Sequence, residues 1–414
     1  MSRLAVLLSA GLLLVNGACK SSTNPGVVRA QWYHAHLSTE AGDRFPFFLQ
    51  VPDDCESEAA TIVNGEERLR ADCSRSPVGF AVDFPVYGTR IEAWFKPDGT
   101  LIGHWCRERP NGRAPILQFS AQPVTEPDPG ERFPVERART EANPPRANVA
   151  GTWRMEFDGA GMARGILVQN GSGVVTGTVE VPSQYGDLRF LAGNVRGTRM
   201  QLSTFDGQHV GLLQGEVKPD GTLRGQWVGE ASRDLFVSER AEDFDIPDPL
   251  DRVRPKSEAS RLDLEALRDP RYTGKAVIVE LFGTWCPNCN DHAPLLVDLY
   301  REYGPRGLEI LGLAYEYTDS VDSAERRVRE FKEKHGVDWD VVIADSTLEK
   351  LADEGLAGLS PIEGVPVTIF VNPDGTVHAV YTGFSGPATG AAHEEAKAQF
   401  RRLTEEILGN RRPS

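Results

Sequence analysis

The stretch "VELFGTWCPNCNDHAP", residues 279–294, constrains this chain more than any other. An apolar run ends in a tryptophan, and two cysteines follow at C-x-x-C spacing. The apolar run reads as a buried strand, and "PNCNDHAPLLVDLYREYG" after it has helical periodicity, with Pro294 as a kink. A strand that hands over to a helix at Cys286 puts that sulfur where unpaired amide donors and the helix dipole favour a thiolate. The spacing places Cys289 on the same turn, within reach to resolve a mixed disulfide. The competing readings are a static disulfide or half of a zinc site. Zinc needs two more ligands, and the chain has no second C-x-x-C. The pair therefore points to redox chemistry, with no metal and no cofactor expected.

From residue 262 to 410 the pattern alternates strand and helix. "AVIVELFG", "LEILGLAYEY" and "WDVVIAD" read as strands, and "PVTIFVNPDGTVHAVYTG" as a hairpin. "SAERRVREFKEKHG" and "HEEAKAQFRRLTEEIL" read as amphipathic helices. Strands flanked by helices give an α/β layer with an antiparallel hairpin at the sheet edge.

"GTWCPNC" with "GVPVTIFVNPDGTV" resembles the TlpA-like thiol–disulfide reductases of the thioredoxin superfamily, over about residues 262–410. The resemblance implies a thioredoxin-like fold and thiol–disulfide exchange with protein substrates, with Trp285 beside the first cysteine. It implies a cis peptide before Pro366, facing the cysteine pair. It also implies that the backbone of Val365 pairs with an incoming extended peptide, as strand addition does.

The resemblance also explains the glutamate within the apolar run. Glu280 lies six residues before Cys286, where thioredoxins carry a buried acid. A carboxyl there should be hard to ionise and could take the proton from Cys289. The competing reading is a solvated glutamate at a sheet edge. One departure stands out. Many relatives carry a glutamate three residues after the second cysteine, and this chain has His292. A protonated imidazole would stabilise a nearby thiolate, so a pH-sensitive thiol is expected. Glu316 is a lesser candidate near the site.

The first half carries an internal echo. "KPDGTL" begins at Lys96 and again at Lys218, each followed by Gly-x-Trp at Trp105 and Trp227. Trp32 and Trp153 stand at matching offsets upstream. This reads as one all-β domain duplicated. P-D-G between alternating stretches is a hairpin turn, so each copy should be a small antiparallel barrel or sandwich, with the tryptophans as core plugs. His34 and His36 share a strand face, which is weak grounds for a metal and better read as a solvated surface. The expected organisation is multidomain. A duplicated all-β N-terminal half (27–121 and 150–241) precedes a C-terminal α/β thioredoxin-like domain (262–410). Pro-rich tethers are expected at 122–149 and 242–261.

Residues 1–19 have the layout of an export signal: Arg3, an apolar run from Leu4 to Val15, then small residues before Cys19. The cysteine after "NGA" resembles a bacterial lipobox, although Asn16 stands where leucine is usual. Lipidation at Cys19 is expected, with soluble secretion or a retained anchor as alternatives. Export implies oxidised thiols, and Cys55–Cys73 is the expected disulfide, with Cys106 a buried small hydrophobe. A formal net charge of −15 argues against nucleic acid as a partner.

The expected function is that of an extracytoplasmic thiol–disulfide oxidoreductase, more reductase than oxidase. It would be membrane-associated through a lipid anchor and served by a membrane or periplasmic electron donor. One alternative is a thiol peroxidase, weakened because Thr284 lies two residues before Cys286 and not three. Another is a surface binding protein whose β repeats hold the partner and whose redox domain is accessory.

Overall fold

The computed structural model describes residues 30–109, 112–133, 145–241, 244, 246–318, 320–344, 347–348, 350–351, 356 and 358–409. The expected leader and Cys19 lie outside them. No helix among the described residues is long and apolar enough to cross a membrane.

The first half is built of antiparallel strands. β1 (Ala30–Ser38), β2 (Arg44–Pro52), β3 (Ala60–Asn64), β4 (Glu67–Ser76), β5 (Gly79–Phe84), β6 (Thr89–Phe95), β7 (Leu101–Arg109) and β8 (Gly112–Val124) form a closed barrel. Closure comes from β8 pairing with β1, with Trp32 opposite Val124. Strand alternation aims every second residue inward, so Tyr33, Ala35 and Leu37 are buried while His34 and His36 are only partly covered. Phe45, Phe47, Trp105 and Phe119 fill the interior.

A second barrel follows. Its strands are β9 (Gly151–Phe157), β10 (Gly161–Gln169), β11 (Val174–Val181), β12 (Gly186–Asp187), β13 (Leu191–Arg196), β14 (Arg199–Phe205), β15 (Val210–Val217), β16 (Leu223–Val228) and β17 (Arg233–Arg240). They run in the order β10-β9-β17-β16-β15-β14-β13-β11-β12, and β10 also pairs with β11, which closes the ring and leaves β12 as an appendage. The expectation of barrels or sandwiches thus resolves to barrels. Both "KPDGTL" words make the same turn. Lys96 N–H donates to Thr100 O and Lys218 N–H to Thr222 O, each at 2.8 Å. The glycines of the two turns take φ of 82° and 84°, which a Cβ would oppose. Trp105 and Trp153 are core plugs, whereas Trp32 and Trp227 are only partly buried.

Described residues of the segments expected to be tethers are packed, while 134–144, 242–243 and 245 lie outside the described residues. Arg132 is buried between the barrels and donates to Val63 O, Asn64 Oδ1 and Ser203 Oγ. Between the second barrel and the last domain, Val253 is buried and Pro249 O accepts from Thr382 N–H at 3.0 Å. Ser360 N–H reaches Arg254 O at 3.0 Å. The Pro249 carbonyl, which no strand or helix of its own segment uses, is taken by the neighbouring domain.

The last domain is the expected α/β layer. Its elements are β18 (Ala276–Phe282), α1 (Pro287–Tyr303), β19 (Leu308–Ala314), α2 (Val321–His335), β20 (Asp340–Ile343), β21 (Val367–Val371), β22 (Val377–Thr382) and α3 (Ala391–Gly409). The sheet order is β20-β19-β18-β21-β22, with β18, β19 and β20 parallel and β21 and β22 antiparallel. β18 is central and all seven of its residues are buried, six of them apolar and the seventh Glu280. α1 runs through Pro294 as one helix. α2 starts on the Ser320 hydroxyl, which accepts from Ser323 N–H, and stops at Gly336 with φ 71°.

One buried side chain joins all three domains. Arg189 of the second barrel lies 2.6 Å from Glu67 of the first barrel and 2.6 Å from Asp291 on α1, with Asp206 at 3.9 Å. Three carboxylates around one guanidinium compensate a charge that burial alone would make costly.

Candidate active site

Strand β18 ends at Phe282, and Gly283-Thr284-Trp285 turns the chain into α1. Each residue of this turn is fastened. Thr284 N–H and Oγ1–H both donate to the Glu316 carboxylate, at 2.8 and 2.7 Å. Trp285 Nε1–H donates to Tyr315 O at 2.7 Å, and its ring lies against Tyr317 with centroids 4.5 Å apart. Asn290 Nδ2 donates back to Thr284 O and Cys286 O. The turn is thus held by hydrogen bonds on both sides of Cys286.

Cys286 is the N-cap of α1. Its Sγ accepts from Cys289 N–H at 3.3 Å, and Pro287 at the first helical position removes a donor that would otherwise be unpaired. An amide aimed at a sulfur is charge-assisted once that sulfur is a thiolate. Cys289 is wholly buried, whereas Cys286 keeps 6% of its surface. Burial pushes the Cys289 thiol well above its ordinary range, and the Cys286 sulfur and the Glu280 charge push the same way. The two thiols are thereby differentiated: one faces the outside and the other waits protonated behind it.

The Val365–Pro366 peptide is cis, and the Cys286 thiol lies 3.7 Å from Val365 O. Pro366 O accepts from Gly383 N–H at 2.8 Å, which ties this loop to the segment after β22. Trp285, Cys286, Val365 and Pro366 therefore converge at one end of the sheet.

Glu280 and His292 meet beneath the cysteines. Both are fully buried, and His292 Nδ1 lies 3.4 Å from Glu280 Oε1. Phe384 and Phe400 pack on the imidazole with centroids at 4.7 and 4.9 Å. The carboxylate that His292 faces is thus Glu280. Glu280 faces the protein interior from the central strand, not solvent from a sheet edge. Burial also pushes the Glu316 carboxyl up, against the two Thr284 bonds that hold it down.

The remaining sequence candidates lie elsewhere. Cys55 and Cys73 are joined by a disulfide in the first barrel, with Cα atoms 5.2 Å apart. Cys106 is buried and free. His34 Nε2 lies 2.9 Å from Arg132 O, and His36 Nε2 lies 2.9 Å from Ser120 Oγ.

Sequence reasoning missed what covers the site. A cleft of about 560 Å³ has Cys286 at its floor, and one wall belongs to the second barrel through Tyr185, His209 and Trp227. No motif marks these residues. A tyrosine and an arginine in the short stretch "YGDLR", next to a tight turn, were the available signal.

Comparison with known proteins agrees with this geometry. Residues 237–380 match the AhpC/TSA family. The thiol-disulfide oxidoreductase ResA of Halalkalibacterium halodurans is 29% identical over 124 residues. ResA of Bacillus subtilis is 26% identical over 131 residues. The segment that carries the cysteine pair is thus similar to thiol-disulfide oxidoreductases. These matches cover 30% and 32% of this chain, which spans 62% and 63% of the two relatives. A thioredoxin family thiol:disulfide interchange protein from Chlorobium tepidum aligns with 38% of the chain and 98% of its own length, at 23% identity and a TM-score of 0.27. The thioredoxin-like domain follows two barrels that these matches leave almost wholly uncovered.

Proposed function

We propose that the protein is an extracytoplasmic thiol–disulfide oxidoreductase, acting as a reductase on disulfide-bearing protein substrates. The observation that carries this reading is the placement of Cys286: a helix N-cap sulfur that accepts an amide hydrogen bond, faces a cis-proline loop and has a protonated partner thiol one turn behind it.

The chemistry follows from that placement. The Cys286 thiolate attacks one sulfur of the substrate disulfide, forms a mixed disulfide and expels the other substrate sulfur as a thiolate. Cys289 then loses its proton, with Glu280 as the acceptor, and attacks Cys286 Sγ. The mixed disulfide breaks, a Cys286–Cys289 disulfide forms, and the second substrate thiolate leaves. Two electrons have moved from the cysteine pair to the substrate. An external dithiol donor must restore them. Export and lipidation at Cys19 complete the proposal and place that donor at a membrane or in the periplasm.

The test is a pair of measurements on the intact protein. Disulfide reduction should vanish in Cys286→Ser, and the reduction potential of the 286/289 pair should lie below that of the compartment. Turnover that survives Cys286→Ser would refute the proposal.

A further inference from the structure

The wall opposite Cys286 is built and fixed by the second barrel. The Tyr185 hydroxyl accepts from Glu363 N–H at 3.0 Å, and Tyr185 O accepts from Phe384 N–H at 3.2 Å. Asp187 Oδ1 accepts from Gly386 N–H at 2.8 Å, and Arg189 is paired with Asp291 on α1. A Cβ on Gly364 would come within 2.8 Å of the Tyr185 ring, so this loop and the barrel touch closely. Tyr185 and Arg189 take φ of 60° and 56° without being glycine. Such left-handed backbone costs on the order of 1 kcal/mol per residue, so its surroundings must hold it.

This wall limits what can reach the sulfur. Cys286 is nearly buried, and the cleft above it is of the size that encloses a small ligand, not the face of a folded domain. The charged groups of the lining have partners of their own: Glu230 with Arg107, Glu363 with Arg252, and Asp206 with Arg189 and His209. What the lining offers is aromatic surface, Trp285 and Tyr317 on one side and Trp227 on the other, with Tyr185 buried behind it as the anchor of the barrel wall.

We infer that the second barrel is a substrate-selecting wall, and that the substrate is a disulfide carried on an extended, unfolded stretch of polypeptide with apolar or aromatic neighbours. This rests on the redox reading above. The extended segment lies along Val365 as an added strand, and its side chains enter the aromatic walls. A disulfide on a rigid folded surface is excluded because the barrel blocks face-on approach.

The test uses the full chain carrying Cys289→Ser, which stalls at the mixed disulfide. It is offered a short linear peptide containing one disulfide, and the same sequence held within a folded domain. The linear form should yield the mixed disulfide at least about tenfold faster, a difference of about 1.4 kcal/mol in barrier. Hydrogen exchange on the trapped complex should show new protection at 204–211 and 227–232 as well as at 363–366. Equal rates for the two forms, or protection confined to 285–288 and 363–366, would overturn the inference and leave the redox reading intact. Failure of both probes to form a mixed disulfide would bring down the redox reading and this inference together.

Discussion

The hydroxyl of Tyr185, in the second barrel, accepts a hydrogen bond from the backbone N–H of Glu363, two residues ahead of Val365. A β-barrel side chain thus holds the loop that faces the reactive sulfur. Replacing Tyr185 with phenylalanine leaves that amide without its partner at a partly buried junction and should cost about 1 kcal/mol of unfolding free energy. Denaturant titration of the intact protein checks it. An unchanged midpoint and slope would mean that the barrel and the loop are not coupled through this bond.

Arg189 should matter more. Its removal leaves the buried Glu67 and Asp206 and the half-buried Asp291 without the cation they share. Arg189→Met should lose about 3–5 kcal/mol, the usual result of breaking a buried ion pair from one side. Adding Glu67→Gln should return part of that loss, because it removes one uncompensated charge. Unfolding curves of the single and double variants give the comparison.

Asp187 gives a signed pH dependence. Burial, with help from the Asp291 charge, pushes its carboxyl up to about 6 from an ordinary 3.8. The folded state therefore holds this proton more tightly than the unfolded chain. The stability it contributes is full below the unfolded value and is lost as pH rises through the folded one, by roughly 3 kcal/mol at most. Asp187→Asn should flatten the stability profile between pH 3.8 and about 6 relative to the wild type. Parallel profiles for the two proteins would show that the group titrates normally.

Much of this was readable locally. β18 announced itself as an apolar run interrupted only by Glu280, and α1 by its periodicity after Pro287. Cys286, Cys289 and Glu280 are fixed relative to one another by spacing within one strand and one helix turn, so their juxtaposition follows from short-range geometry. The P-D-G turns were equally local. The Arg189 cluster was not, because its members come from three domains, with Glu67 122 residues before Arg189 and Asp291 102 residues after it. The same holds for the wall around Cys286. Proline-rich segments read as tethers because composition reports backbone stiffness and says nothing of the neighbour that accepts their carbonyls. His292 was placed beside the cysteines by sequence, but only the fold shows that the side chain it faces is Glu280.

Glu280→Gln tests the proton path. If this carboxylate accepts the Cys289 proton, resolution of a preformed mixed disulfide should slow by about 10²-fold, the lower end of what general bases supply. The attack by Cys286 should change much less. Stopped-flow kinetics separates the two steps. Equal slowing of both steps would assign Glu280 to packing instead, and an unchanged resolution rate would remove it from the reaction.

The most direct measurement is alkylation of the reduced, folded protein, followed by mass mapping of the adducts. Cys286 should react first and carry the label, while Cys289, wholly buried and with its thiol pushed up, stays free until the chain is unfolded. A folded protein in which Cys286 resists the reagent, or in which Cys289 is labelled ahead of it, would contradict the account.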